Sequence, residues 1–191
     1  MTATEFRTYW NPDALNVWLE FDSKEIEKAP LNNITKDFLK AGFPRDAAPF
    51  LDFGWISYGN KFLNVFELSS RLRLNDVTKN YWILGSDNSG NPICFDASNN
   101  DSIILLDHEQ GFEPIDTINK TIGELAECLL IYKNFIARVQ KENGKRAFLD
   151  VNISDVQLSD LKKDFEKINS NIFRESSFWR SEINALKVMN Q

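Results

Sequence analysis

The sequence predicts an α+β fold: a single domain with a mostly antiparallel, multi-stranded sheet packed against flanking N- and C-terminal helices. Three observations carry this. Residues 81–109 (YWILGSDNSGNPICFDASNNDSIILLDHE) hold three short apolar runs separated by the turn-forming segments 88–91 (NSGN) and 98–101 (SNND), as in a three-stranded antiparallel meander. Residues 122–142 place Ile122, Leu125, Ala126, Leu129, Ile136 and Val139 at helical spacing. Helical patterns lie before and after the block of strands instead of alternating with it, which favours a layered design over βαβ units. With 191 residues, 42% of them apolar, including 15 Phe and 5 Trp, the chain can fill one sizeable core.

The elements follow in order. Residues 1–30 read as an N-terminal helical extension, in which Phe6, Tyr9, Trp10, Leu15, Trp18 and Leu19 recur at helical intervals and Pro12 can restart a helix after Asn11. The main domain is expected over 31–191. Residues 31–42 form a short helix that turns Phe38 and Leu39 inward and ends on Gly42, with Pro44 blocking its continuation. Residues 50–56 (FLDFGWI) and 62–68 (FLNVFEL) are strands joined by 57–61 as a hairpin loop. After the meander, 113–118 (EPIDTI) is an edge strand, because Pro114 cannot donate to a ladder on both sides. Thr121 and Glu124 have capping-box spacing at the head of the long helix, and Gly144 ends it. Two more helices are expected, at 158–168 and from Ser176 or Ser177 through Phe178, Trp179, Ile183 and Leu186. Trp55, Trp82 and Trp179 are assigned to the core.

Charge narrows the function. The net charge is −6, against the basic face of a general nucleic-acid binder. Residues 76–127 carry ten Asp/Glu against only Lys79 and Lys120, whereas 133–191 carry eleven Lys/Arg against eight Asp/Glu. The acidic middle suits a basic partner. No secretory signal pattern opens the chain and no apolar run approaches the roughly 18 residues of a membrane span, so a cytoplasmic protein with reduced thiols is expected.

The chemistry-bearing residues do not assemble into a catalytic motif. His108 is the single histidine; if it lies in a strand, Asp107 and Glu109 beside it point to other faces and the three do not converge on an ion. Cys94 and Cys128 lack zinc-ligand spacing, and Cys94 sits in an apolar run that predicts an inert core thiol. Asp87 to Asp96 lacks the ligand spacing of a calcium loop. The glycines never form a phosphate loop. No cofactor, metal or catalytic residue is expected. A hydrolase using carboxylates such as Asp96 and Asp107 near His108 is the weakest of the alternatives.

Several stretches resemble the SUKH superfamily, the group that includes Syd and the fungal cell-wall regulators. Phe38-Leu39-x-x-Gly42-Phe43-Pro44 is similar to that family's early helix and following turn, with Phe43 where leucine is usual. Residues 82–96 (WILGSDNSGNPICFD) resemble its central strand pair, and Leu105-Leu106-Asp107-His108-Glu109 its next strand. Residues 121–132 (TIGELAECLLIY) resemble the helix after the sheet, and Phe178-Trp179-Arg180-Ser181-Glu182-Ile183 the closing helix of the immunity-protein branch. Residues 1–30 match nothing in the family pattern. The resemblance implies a non-catalytic immunity protein that binds and neutralises a cognate bacterial toxin domain, such as a nuclease or deaminase. It also implies a turn-building role for Gly85, Gly90 and Asp87. Local charge density then picks out Asp96, Asp107, Glu109, Glu113 and Asp116 as the toxin-binding residues, an acidic patch complementary to a basic cleft. The alternative reading is a scaffold or regulator that docks on a cellular assembly.

Overall fold

The computed structural model describes residues 1–12, 17–54, 65–72 and 80–188. Trp55, Leu15 and the expected hairpin loop at 57–61 lie outside the described residues. The fold is α+β. A seven-stranded, antiparallel sheet is formed by β3 (Asp46–Ala47), β4 (Leu51–Phe53), β6 (Tyr81–Asp87), β7 (Pro92–Asp96), β8 (Ser102–Asp107) and β9 (Glu113–Asn119) in that order, with β5 (Phe66–Glu67) also paired to β6.

The meander comes from turn chemistry. Asp87 accepts the Ser89 and Asn91 amides, both at 2.8 Å, while Gly90 takes φ +84°; this closes the β6–β7 connection. Asn100 and Asp101, at φ +53° and +56°, make the β7–β8 turn. Asp101 then reaches out of the turn to accept the Asn32 amide at 2.7 Å. Gly85 has a different role from the turn-building one expected of it. It lies inside β6, where a Cβ would collide with the Asp52 carbonyl oxygen, so its missing side chain lets β4 approach.

The hairpin expected of the segments on either side of 57–61 is not how their described parts pair. Leu51, Asp52 and Phe53 pair with Asp87, Ser86 and Gly85, while Phe66 and Glu67 pair with Ile83 and Trp82. The two short strands thus dock end to end on one edge of β6, which is long enough to hold both. At Leu68 the second segment turns into a helix, α4 (Leu68–Leu72), instead of continuing as a strand.

Helices cover the main face. α5 (Ile122–Asn143) packs across β8 and β9, and α8 (Ser177–Val188) runs against β9. α1 (Ala3–Trp10), α3 (Asn33–Ala41) and α6 (Asp155–Ile168) complete the layer, with short α2 (Ser23–Lys28) and α7 (Ile172–Glu175) between them. The expected run of helix through 18 and 19 does not form. Asn11 takes the left-handed conformation and caps α1, and Trp18–Leu19 becomes β1, paired with β2 (Phe43–Pro44). Phe6 and Trp10 are nevertheless core residues: Phe6 stacks within 5.2 Å of Phe43 and 5.6 Å of Trp10. Burying that many rings in one place makes the first helix part of the hydrophobic driving force of the fold.

The strands read as continuous apolar runs because both faces of the sheet are covered. Ile93, Phe95, Ile103 and Leu105 face the helices, while Cys94, Ile104, Leu106 and Ile83 form a second cluster with Leu68 of α4. Thr121 caps α5 as expected, but Glu124 reaches back to the Lys120 amide at 3.0 Å, one residue short of a closed capping box. α6 starts three residues earlier than expected, where Ser154 and Gln157 make a reciprocal capping box.

Candidate functional site

The acidic residues picked out by charge density do not form one patch. Asp96 ends β7 and pairs across to Tyr81 and Ser102, whereas Asp107 ends β8 opposite Glu113. Ser102 and Asp107 are five positions apart on β8, about 17 Å of extended strand. Asp96 accepts the Ser98 amide and hydroxyl, and Asp107 accepts the Glu109 and Gln110 amides, so each carboxylate first serves its own turn. Asp116 is committed elsewhere. Its Oδ2 accepts the Phe178 amide at 2.5 Å and the Ser176 hydroxyl at 3.5 Å, so it caps α8 from a neighbouring strand. Asp107, Glu109 and Glu113 are left together at one end of the sheet. Tyr81, on the second face, has its phenol pushed up by burial first and then by the Asp96 and Glu113 carboxylates.

His108 and Glu109 lie in the turn after β8, so strand alternation does not set their side chains on opposite faces. His108 is exposed, with Nδ1 2.8 Å from the side-chain Oδ1 of Asn91. Among the described residues no three His, Cys, Asp or Glu side chains are placed to hold a metal ion. Cys94 and Cys128 are buried, and burial pushes both thiols far above their ordinary range. No described helix is long and apolar enough to cross a membrane.

A sizeable concavity lies elsewhere, between the β3–β4 hairpin, the loop at 147–151 and α8. Its volume is about 580 Å³. It has the size of a ligand-scale cleft. Phe148 and Leu186 give it an apolar floor with Tyr132 behind them. Phe50 and Leu149 stand on its rim, 75% and 71% exposed, so two bulky apolar side chains meet solvent at one cleft.

Backbone geometry forces part of this exposure. The three-residue connection 48–50 joins Ala47 to its partner Leu51 and ends with Phe50 at φ +56°. That position in such a hairpin normally favours glycine. Val151, a β-branched residue on the opposite wall, also has positive φ, +52°. Left-handed backbone costs a residue with a Cβ roughly 1–2 kcal/mol. Two of the non-glycine residues in that region therefore sit on one cleft, as strained residues often do at binding sites.

The charged groups of the cleft are acidic. Asp46 and Asp52 are cross-strand partners in β3 and β4, and hydrogen bonding with the Asp46 side chain, then burial and the like charge of Asp46, hold Asp52 above the usual carboxylate range, while nearby Arg45 opposes them. Glu182 projects from α8 and is raised by burial, with no hydrogen bond or counter-charge among the described residues to offset it. Its charge in turn adds to the burial that raises the Tyr132 phenol. Among the described residues that line the cleft there is no Lys, Arg or His.

None of Asp46, Phe50, Asp52, Leu149 and Glu182 stood out in the sequence. Phe50 and Asp52 read there as strand residues, and Leu149 falls between two helices. The only signal was Leu149 as a bulky apolar residue on a connection, and single exposed apolar residues are too common to mark a site. The chain matches no family model, no curated protein and no solved structure.

Proposed function

We propose that this chain is a non-catalytic, immunity-type binding protein that neutralises a basic toxin domain, as its resemblance to the SUKH superfamily implies. The cleft carries the reading: apolar side chains stand exposed at its rim, Phe50 among them on left-handed backbone, and its charged lining is of one sign. An apolar centre with a charged surround is the arrangement that anchors a protein partner. The carboxylates at Asp107, Glu109 and Glu113 add an outer negative field that speeds encounter with a basic domain. Asp96 and Asp116 have little part in it, since each is engaged locally or by α8.

Co-expression with the C-terminal domain of the adjacent open reading frame tests the proposal through host survival and co-purification. The native chain is expected to rescue. Phe50→Gly removes the rim side chain and relieves the left-handed strain, so it should fold normally and lose rescue. Rescue by Phe50→Gly and Leu149→Asp equal to the native chain would exclude the cleft as the binding face. Death despite a well-expressed native chain would exclude toxin neutralisation and move the reading to a scaffold that docks on a cellular assembly.

A further inference from the structure

The occupant of the cleft can be defined by its chemistry. Three features bear on it, and they rest on different observations. The floor and rim are apolar: Phe148, Leu186, Phe50 and Leu149 offer contact area that water covers only at a cost. Asp46 and Asp52 lie directly across a strand pair from one another, so both carboxylates stand side by side on the hairpin. Glu182 faces the cleft from the opposite wall, half-buried and without a counter-charge among the described residues.

A wholly apolar occupant would fill the floor but leave these carboxylates dehydrated and unpaired, which is costly. An acidic occupant would add like charge to both walls. A cation fits both constraints at once. It pairs with the adjacent Asp46 and Asp52 carboxylates and supplies the partner that Glu182 lacks. Guanidinium suits the geometry better than ammonium, because its planar fork can donate to carboxylates on two sides while its faces stack on the Phe50 and Phe148 rings.

We infer that the cleft receives an arginine side chain flanked by apolar residues on an exposed segment of the protein partner, with the guanidinium set between the Asp46–Asp52 pair and Glu182. This deepens the proposed function and rests on the cleft being the docking face. The arginine acts as the anchor, and the neighbouring apolar side chains lie against Phe50 and Leu149.

The test uses the full chain, labelled with ¹⁵N, titrated with two short probes: acetyl-Leu-Arg-Leu-amide and the same peptide with citrulline, the neutral isostere, in place of arginine. The arginine peptide is expected to shift amides of the β3–β4 hairpin, the loop at 147–151 and α8 near Glu182. The citrulline peptide should bind about tenfold or more weakly, the worth of one charge-assisted hydrogen bond. In a chain carrying Asp46→Asn, Asp52→Asn and Glu182→Gln the two peptides should bind alike. Equal binding of both peptides to the native cleft would overturn the arginine assignment and leave the docking face standing. Binding of the arginine peptide at the Asp107–Glu113 end instead would also overturn it. No shift in the cleft with either peptide would overturn both the assignment and the cleft as a docking face.

Discussion

Asp116 distinguishes most sharply between a carboxylate that serves a partner and one that serves the fold. It sits on β9, yet its Oδ2 accepts the amide of Phe178, the second residue of α8, while Ser176 Oγ accepts the Trp179 amide at 3.3 Å. Two of the unpaired amides at the head of α8 are thus satisfied, one by its own cap and one from the sheet. Asp116→Ala removes an acceptor and a negative charge together. Loss of a capping acceptor costs about 1 kcal/mol. Loss of the charge at a partly buried helix N-terminus costs about a further 0.5–1 kcal/mol. The expected destabilisation is about 2 kcal/mol, or a fall in Tm of about 4–8 °C for a chain of this size. Asp116→Asn keeps the acceptor and should lose only the charge contribution, about 0.5–1 kcal/mol. Urea unfolding at neutral pH, followed by Trp fluorescence, measures both, with an unchanged m-value marking a pure stability effect. A loss below about 0.5 kcal/mol for Asp116→Ala, or equal losses for Ala and Asn, would refute the capping account.

Two further perturbations test other parts of the structure. Asp52→Asn removes a like-charge pair with Asp46. Because the folded-state pKa of Asp52 is raised, its stabilising contribution is fully present below the unfolded pKa of an aspartate and is lost as pH rises through the folded value. The substitution should therefore raise stability at pH 7 by a few tenths of a kcal/mol, since the site is exposed, and the gain should vanish in acid; thermal melts at the two pH values read this, and a gain that persists in acid would contradict it. Asn119→Ala strips a buried hub, in which Asn119 accepts the Trp179 indole N–H at 3.0 Å and donates to Cys128 Sγ at 3.4 Å. Leaving that indole unpaired should cost about 1–3 kcal/mol by urea unfolding, and a cost near zero would mean the network is not holding α8 to the sheet.

The secondary structure was legible wherever one short-range rule decided it. The meander was readable because Asp87, Gly90 and Asn100 impose their turns locally, and α5 because its apolar stripe is long and its Thr121 cap and Gly144 stop are adjacent to it. Local rules failed where two segments compete for one edge. The spacing of Trp18 and Leu19 suits a helix, but Phe43 and Pro44 offer them a strand partner, and Trp18 gains a hydrogen bond from its indole to the Ala41 carbonyl at 2.9 Å. Leu51–Phe53 and Phe66–Glu67 likewise found β6 in place of each other. Such outcomes depend on contacts between residues far apart in the chain, which no local pattern encodes.

The acidic middle of the chain was determined by sequence alone, since charge is a property of composition. What each carboxylate does was decided by tertiary structure. Asp96, Asp107 and Asp116 look alike in a row of letters, but one closes a turn, one ends a strand opposite Glu113 and one caps a helix that begins some sixty residues later. The cleft belongs to the same category. Asp46 and Asp52 are near in sequence, but Leu149 and Glu182 reach them only because the sheet, the 147–151 loop and α8 converge there. Composition sets which groups are available; burial and proximity, which arise only on folding, determine which of them remain free to bind.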